Sequence, residues 1–109
     1  MFQFCYYDYD EFQNFLSQLP KKLEAKVIYE LENLEIYGNC LTMPHSKALG
    51  NGLFELRAIQ GNNHARVLYF FDKGKIIVIT NAYVKKGRKL DKSVLDKAID
   101  IKNEYENMK

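Results

Sequence analysis

Apolar positions in the first third of the chain follow two periods. Residues 2–7, Phe-Gln-Phe-Cys-Tyr-Tyr, are a short aromatic run of the kind that builds a strand. From Asp8 the period lengthens. Phe12, Phe15, Leu16 and Leu19 recur at i, i+3, i+4 and i+7, the stripe of a helix. Asp8 followed by Glu11 has the form of a capping box at its start. Pro20 ends this helix and suits the opening of a second over residues 21–37. There Leu23, Val27, Leu31 and Leu34 share a face, and Gly38 is placed to cap the end. Residues 38–52, with three glycines and a proline, read as a loop.

Beyond the loop the period falls to two. Over residues 53–59, Phe54, Leu56 and Ala58 occupy one face and Glu55 and Arg57 the other. Gly61-Asn62-Asn63 is a turn. Over residues 64–71, Val67, Tyr69 and Phe71 oppose Arg66, Leu68 and Phe70. Residues 72–75 read as a tight hairpin turn. Residues 76–84 begin apolar on both faces, as an interior strand does, and the run ends with Asn81, Tyr83 and Lys85 on one side. Asp91 is a good N-cap for a last helix with Val94, Ala98, Ile101 and Tyr105 as its stripe. The order β-α-α-β-β-β-α predicts an α+β fold: one domain over residues 1–109, a small twisted antiparallel sheet with helices packed on one face. The other face is then half exposed, and it carries Arg57 and Arg66.

A length of 109 residues suits a single domain. No apolar run approaches the roughly 18 residues of a membrane span. The N-terminus lacks the basic start and long apolar run of a signal peptide, so a cytoplasmic location is expected. Cys5 and Cys40 form no CxxC and are too few for a disulfide scaffold, so both are expected reduced. Charge changes the picture more. The net charge is only +2, yet residues 45–92 hold ten Lys and Arg against Glu55, Asp72 and Asp91, while residues 1–36 hold three Lys against seven acids. A basic block of this kind attracts phosphate even when the whole chain is nearly neutral. It is densest at Lys85, Lys86, Arg88 and Lys89.

Three stretches resemble a known family: "GLFELR" (52–57), "HARVLYFFDKGKIIVIT" (64–80) and "AYVKKGRKLDKSVLDKAIDIKNEY" (82–105). In this order and with short spacings they are similar to the HigB-type toxins of the phage-derived RelE/ParE superfamily. Residues 1–46 share only the helix-pair layout. Tyr83 stands where the family usually has phenylalanine, and Gly87-Arg88 replaces a Thr-Pro pair. The resemblance implies a toxin of a type II toxin–antitoxin system that cleaves mRNA, typically on the ribosome. It also implies a cognate antitoxin, often with a helix-turn-helix DNA-binding part, and a small twisted sheet bearing helices.

RNA cleavage without a metal needs a group to take the 2′-hydroxyl proton. It also needs positive charge for the pentacoordinate phosphate and a proton or charge for the leaving 5′ oxygen. No His/Asp cluster here has metal-ligand spacing, and no cofactor is expected. Arg57 and Arg66 lie on adjacent strands, where a guanidinium fork can hold two phosphate oxygens. Glu55 offers Arg57 a surface ion pair instead, the blander reading. Lys85 ends the last strand within reach of the same phosphate, and a lysine among cations can serve as a base. Tyr83 can stack on a base or donate near the phosphate. These four form the expected catalytic set. Lys86, Arg88 and Lys89 suit backbone contacts to RNA, and the family resemblance adds Lys47. His45 and His64 are a less favoured acid/base pair. Two other functions remain open: a ParE-type inhibitor of DNA gyrase, and a non-catalytic RNA- or ribosome-binding module.

Overall fold

The computed structural model describes residues 1–87 and 91–108. Arg88 and Lys89 lie outside the described residues. Five strands form one sheet: β1 (Gln3–Tyr6), β2 (Ser46–Gly50), β3 (Leu53–Gln60), β4 (Asn63–Asp72) and β5 (Ile76–Val84), in the order β1-β5-β4-β3-β2. Three helices accompany it: α1 (Tyr9–Ser17), α2 (Lys21–Tyr37) and α3 (Lys92–Asn107). The α+β class and the succession of long elements are those expected from the pattern.

The caps work as the sequence suggests. The Asp8 carboxylate accepts the Glu11 amide at 3.0 Å, and Asp91 accepts that of Ser93 at 2.9 Å. Pro20 is the N-cap of α2. Gly38 ends α2 at φ 50°, where a Cβ would run into the Phe2 ring, so this position takes glycine.

Two details differ from expectation. The sheet is mixed and has a fifth strand: β1 pairs parallel to β5, and β2 forms within the segment read as a loop, in register Ser46↔Leu56 and Lys47↔Glu55. Helices also lie on both faces. On one, Phe12 and Leu16 of α1 and Leu23, Val27 and Leu34 of α2 bury Leu56, Ala58, Val67, Tyr69, Ile77 and Ile79. On the other, Ala98 of α3 packs with Leu53, Leu68, Phe70 and Val78, flanked by Val94, Leu95, Ile99 and Tyr105. The second face is apolar at that end and cannot stand in water; α3 covers it and leaves the opposite end uncovered.

A β-bulge sets what that uncovered end presents. Tyr69 pairs with Ile79 and Val67 with Ala82, so two residues of β5, Thr80 and Asn81, stand opposite Leu68. The Thr80 hydroxyl donates to the Leu68 carbonyl at 3.1 Å, and the Asn81 amide donates to the Val94 carbonyl of α3 at 3.1 Å. Before the bulge Ile77 and Ile79 face α1 and α2. After it Tyr83 is in register with Arg66 on the α3 face.

Candidate phosphate-binding site

At the end of the sheet away from α3, strand register lays out a grid. Arg57 pairs with Arg66, and Arg66 with Tyr83, one row across β3, β4 and β5. Cross-strand partners project to the same face. In the next row His64 opposes Ile59, and its carbonyl accepts the Lys85 amide at 2.8 Å. The expected catalytic set of Arg57, Arg66, Tyr83 and Lys85 is therefore gathered on one face by three neighbouring strands. An open cleft of about 410 Å³ is lined by Arg57, Asn62, His64, Arg66, Lys85 and Gly87.

The members differ in freedom. Arg66 is only 1% exposed and Glu55 only 4%. Arg66 Nε lies 3.4 Å from the Glu55 carboxylate, Nη1 donates to the Ala65 carbonyl at 3.1 Å, and Nη2 donates to His64 Nδ1 at 3.3 Å. The Tyr83 hydroxyl donates to the other Glu55 oxygen at 3.1 Å. Glu55 thus pairs with Arg66 across the strands, not with Arg57 beside it in the chain. Arg66 is a buried floor, not a residue of a half-exposed face. Burial lowers the Arg66 pKa and the Glu55 charge opposes that shift. Burial first, then the charge of Glu55, pushes the Tyr83 hydroxyl well above its ordinary range, so it stays protonated as a donor.

Arg57 has few ties. Its Nη1 reaches the Met43 sulfur at 3.5 Å, and its buried Nε has no hydrogen-bond partner among the described residues. A guanidinium held this loosely at a cleft mouth can turn its Nη1/Nη2 end to an anion. His64 was not in the expected set. Because a guanidinium only donates, His64 Nδ1 must accept from Arg66, which leaves the ring proton on Nε2. Burial, then the charges of Arg66, Lys85 and Arg57, lower its pKa, so the ring is neutral at pH 7. Its sequence signal was its place two residues before Arg66, hence on the same face. His45 and His64 do not meet as a pair; each lines a different cleft on its own side of Arg57.

Lys47 is exposed on β2, opposite Glu55 and one strand outside the cleft lining. Lys86 is exposed beside the cleft mouth, where Gly87 takes φ 83°. Among the described residues no group of three or more His, Cys, Asp or Glu is arranged to hold a metal, and no helix is long and apolar enough to cross a membrane.

Among the described residues, a five-stranded mixed sheet with three helices and a cationic cleft at one end defines a small α+β protein. Residues 14–103 match the family described as phage derived protein Gp49-like (DUF891). The chain belongs to this family, which is of the RelE/HigB-like toxin type. A comparison with curated proteins finds no match.

Proposed function

We propose that this protein is the toxin of a type II toxin–antitoxin system, and that it cleaves mRNA on the ribosome, in the cytoplasm. The observation that carries this reading is the cleft lined by Arg57, His64, Arg66 and Lys85, the first three from neighbouring strands of one sheet and Lys85 from the residue after β5. A phosphodiester fits it by charge. Arg57 takes two phosphate oxygens, and the His64 Nε2–H donates to one as negative charge builds in the transition state. Buried Arg66 adds positive potential from below, and Tyr83 steadies Glu55 so that its carboxylate stays off the phosphate. The 2′-hydroxyl gives its proton to a general base as its oxygen bonds to phosphorus, the bond to the 5′ oxygen breaks, and the Lys85 ammonium protonates the leaving oxygen. The products are a 2′,3′-cyclic phosphate and a 5′-hydroxyl. Both Glu55 oxygens are committed to Arg66 and Tyr83, so the contacts to the phosphate fall to Arg57, His64 and Lys85. Lys47 and Lys86, with Arg88 and Lys89 next in the chain, hold the RNA backbone on either side. A cognate antitoxin, with a helix-turn-helix part as in related systems, neutralises the toxin.

The test is induced expression without antitoxin, with primer extension on translated mRNA beside an Arg57→Ala strain. Cuts phased with codons that vanish in the variant support the reading. Growth arrest with intact mRNA and trapped gyrase–DNA complexes would instead indicate gyrase as target, and arrest with neither would indicate a ribosome-binding module that cuts nothing.

A further inference from the structure

Metal-free attack by a 2′ oxygen needs a proton acceptor, and among the described residues the histidine of the cationic cleft is not free to be one. His64 has its Nδ1 occupied by Arg66 and carries its proton on Nε2. On the other side of Arg57 the complementary arrangement is found. Glu30 of α2 is only 3% exposed, and a buried carboxylate requires partners. Its two oxygens lie 2.9 and 3.0 Å from His45 Nδ1, Asn33 Nδ2 donates to it at 3.2 Å, and Lys26 Nζ stands 3.8 Å away. A carboxylate only accepts, so His45 Nδ1 donates. In the neutral ring the lone pair is then on Nε2, the nitrogen that faces away from Glu30. This is the carboxylate–imidazole arrangement that orients a general base.

Location adds to chemistry. His45 stands in the turn before β2, its side chain 38% exposed. Its carbonyl accepts the Arg57 amide at 2.8 Å, which fixes it beside Arg57 across the outer edge of β3. It lines a second cleft of about 190 Å³ with Lys26, Glu30, Pro44, Arg57 and Ile59. Arg57 is the wall common to both clefts, and its Nε has no hydrogen-bond partner among the described residues.

We propose that His45 is the general base of the cleavage reaction and that Glu30 is its positioning residue. The assignment rests on the RNA-cleavage reading above. With a phosphate on Arg57, the nucleotide carrying the 2′-hydroxyl lies over the His45 cleft and the leaving 5′ oxygen lies toward Lys85. His45 Nε2 takes the 2′-hydroxyl proton as the 2′ oxygen bonds to phosphorus. The phosphorus–5′-oxygen bond breaks, and the Lys85 ammonium gives that oxygen a proton. Imidazolium and amine then exchange protons with water. The groups facing His45 are Glu30 and Lys26 from α2 and Arg57 from β3. The reaction needs the neutral ring, with its Nε2 lone pair free to accept the proton.

The experiment is single-turnover cleavage of ribosome-bound message across pH, with wild type, His45→Gln, His45→Ala, Glu30→Gln and Arg57→Ala, all checked for folding by circular dichroism. The expected result is a loss of about 100-fold or more for His45→Gln, the usual worth of a general base. The same variant should bind an uncleavable 2′-deoxy message within about threefold of wild type, a free-energy change well under that loss. The acid limb of its pH–rate profile should vanish. Imidazole added to His45→Ala should restore part of the rate, and Glu30→Gln should displace the acid limb. If His45→Gln cleaves at the wild-type rate with the acid limb intact, or if His45→Ala loses rate that imidazole does not restore while the limb persists, the assignment is overturned. A wild-type protein that leaves the message uncut overturns the RNA-cleavage reading itself, a different outcome from wild-type cutting with an equally active His45→Gln.

Discussion

Glu55→Ala is the perturbation on which the geometry of the site most depends. The carboxylate is 4% exposed and lies 3.4 Å from Arg66 Nε, and Arg66 is 1% exposed. Removing it leaves a guanidinium buried with only two neutral acceptors, Ala65 O and His64 Nδ1. Breaking a buried pair from one side costs about 3–5 kcal/mol, because the remaining charge stays desolvated. The Tyr83 hydroxyl loses its acceptor as well, worth about 1 kcal/mol more where water cannot replace it. A domain of this size holds about 5–15 kcal/mol in total. At roughly 4 °C per kcal/mol the two losses together should lower the melting temperature by about 16–24 °C. Swapping both partners for apolar residues, Glu55→Leu with Arg66→Met, removes the stranded charge and should recover most of that loss. The assay is urea and thermal unfolding of wild type, both single variants and the double. A Glu55→Ala protein within about 1 kcal/mol of wild type, or single effects that simply add in the double, would refute the buried-pair reasoning. By the same reasoning Arg66→Ala loses activity through a weakened fold, whereas Arg57→Ala keeps the fold and loses phosphate binding.

Other outcomes follow from particular positions. Lys85→Ala should lower the saturated cleavage rate about 100-fold with little change in affinity, whereas Lys86→Ala should flatten the slope of log affinity against log salt by about 0.7 and spare the saturated rate; single-turnover kinetics at several salt concentrations separate the two. The lowered pKa of His64 means that the fold prefers its neutral ring. The stability from that preference is full above the unfolded value of about 6.5 and is lost as pH falls through the folded value. His64→Gln should therefore show a shallower loss of thermal stability from pH 7 to pH 5 than wild type. Gly38→Ala sets a Cβ against the Phe2 ring at φ 50° and should destabilise by more than about 1 kcal/mol in urea unfolding.

Much of this molecule is local and therefore legible along the chain. Helix stripes such as Phe12–Leu16 and Leu23–Val27–Leu34, the Asp8 and Asp91 caps, and the alternation that puts Arg57 opposite Leu56 each depend on residues within a turn or two of one another. The gathering of Arg57, Arg66, Tyr83 and Lys85 was also legible, because a meander with short turns must set three consecutive strands side by side. Register and layer contacts were not. Ser46–Gly50 carries no strand pattern of its own and is a strand because β3 offers it an edge. Glu55 pairs with Arg66 instead of Arg57 because β3 and β4 align Arg57 with Arg66, which brings the Glu55 carboxylate to the Arg66 guanidinium. Arg66 is buried because cross-strand partners close over it, and its own strand does not reveal that. The contact of His45 with Glu30 joins a turn to a helix fifteen residues away, and its tautomer follows from that contact alone. Periodicity records which face a side chain takes. Which charges meet on that face, and which are shut away from water, depends on distances between segments, and only the folded sheet sets those.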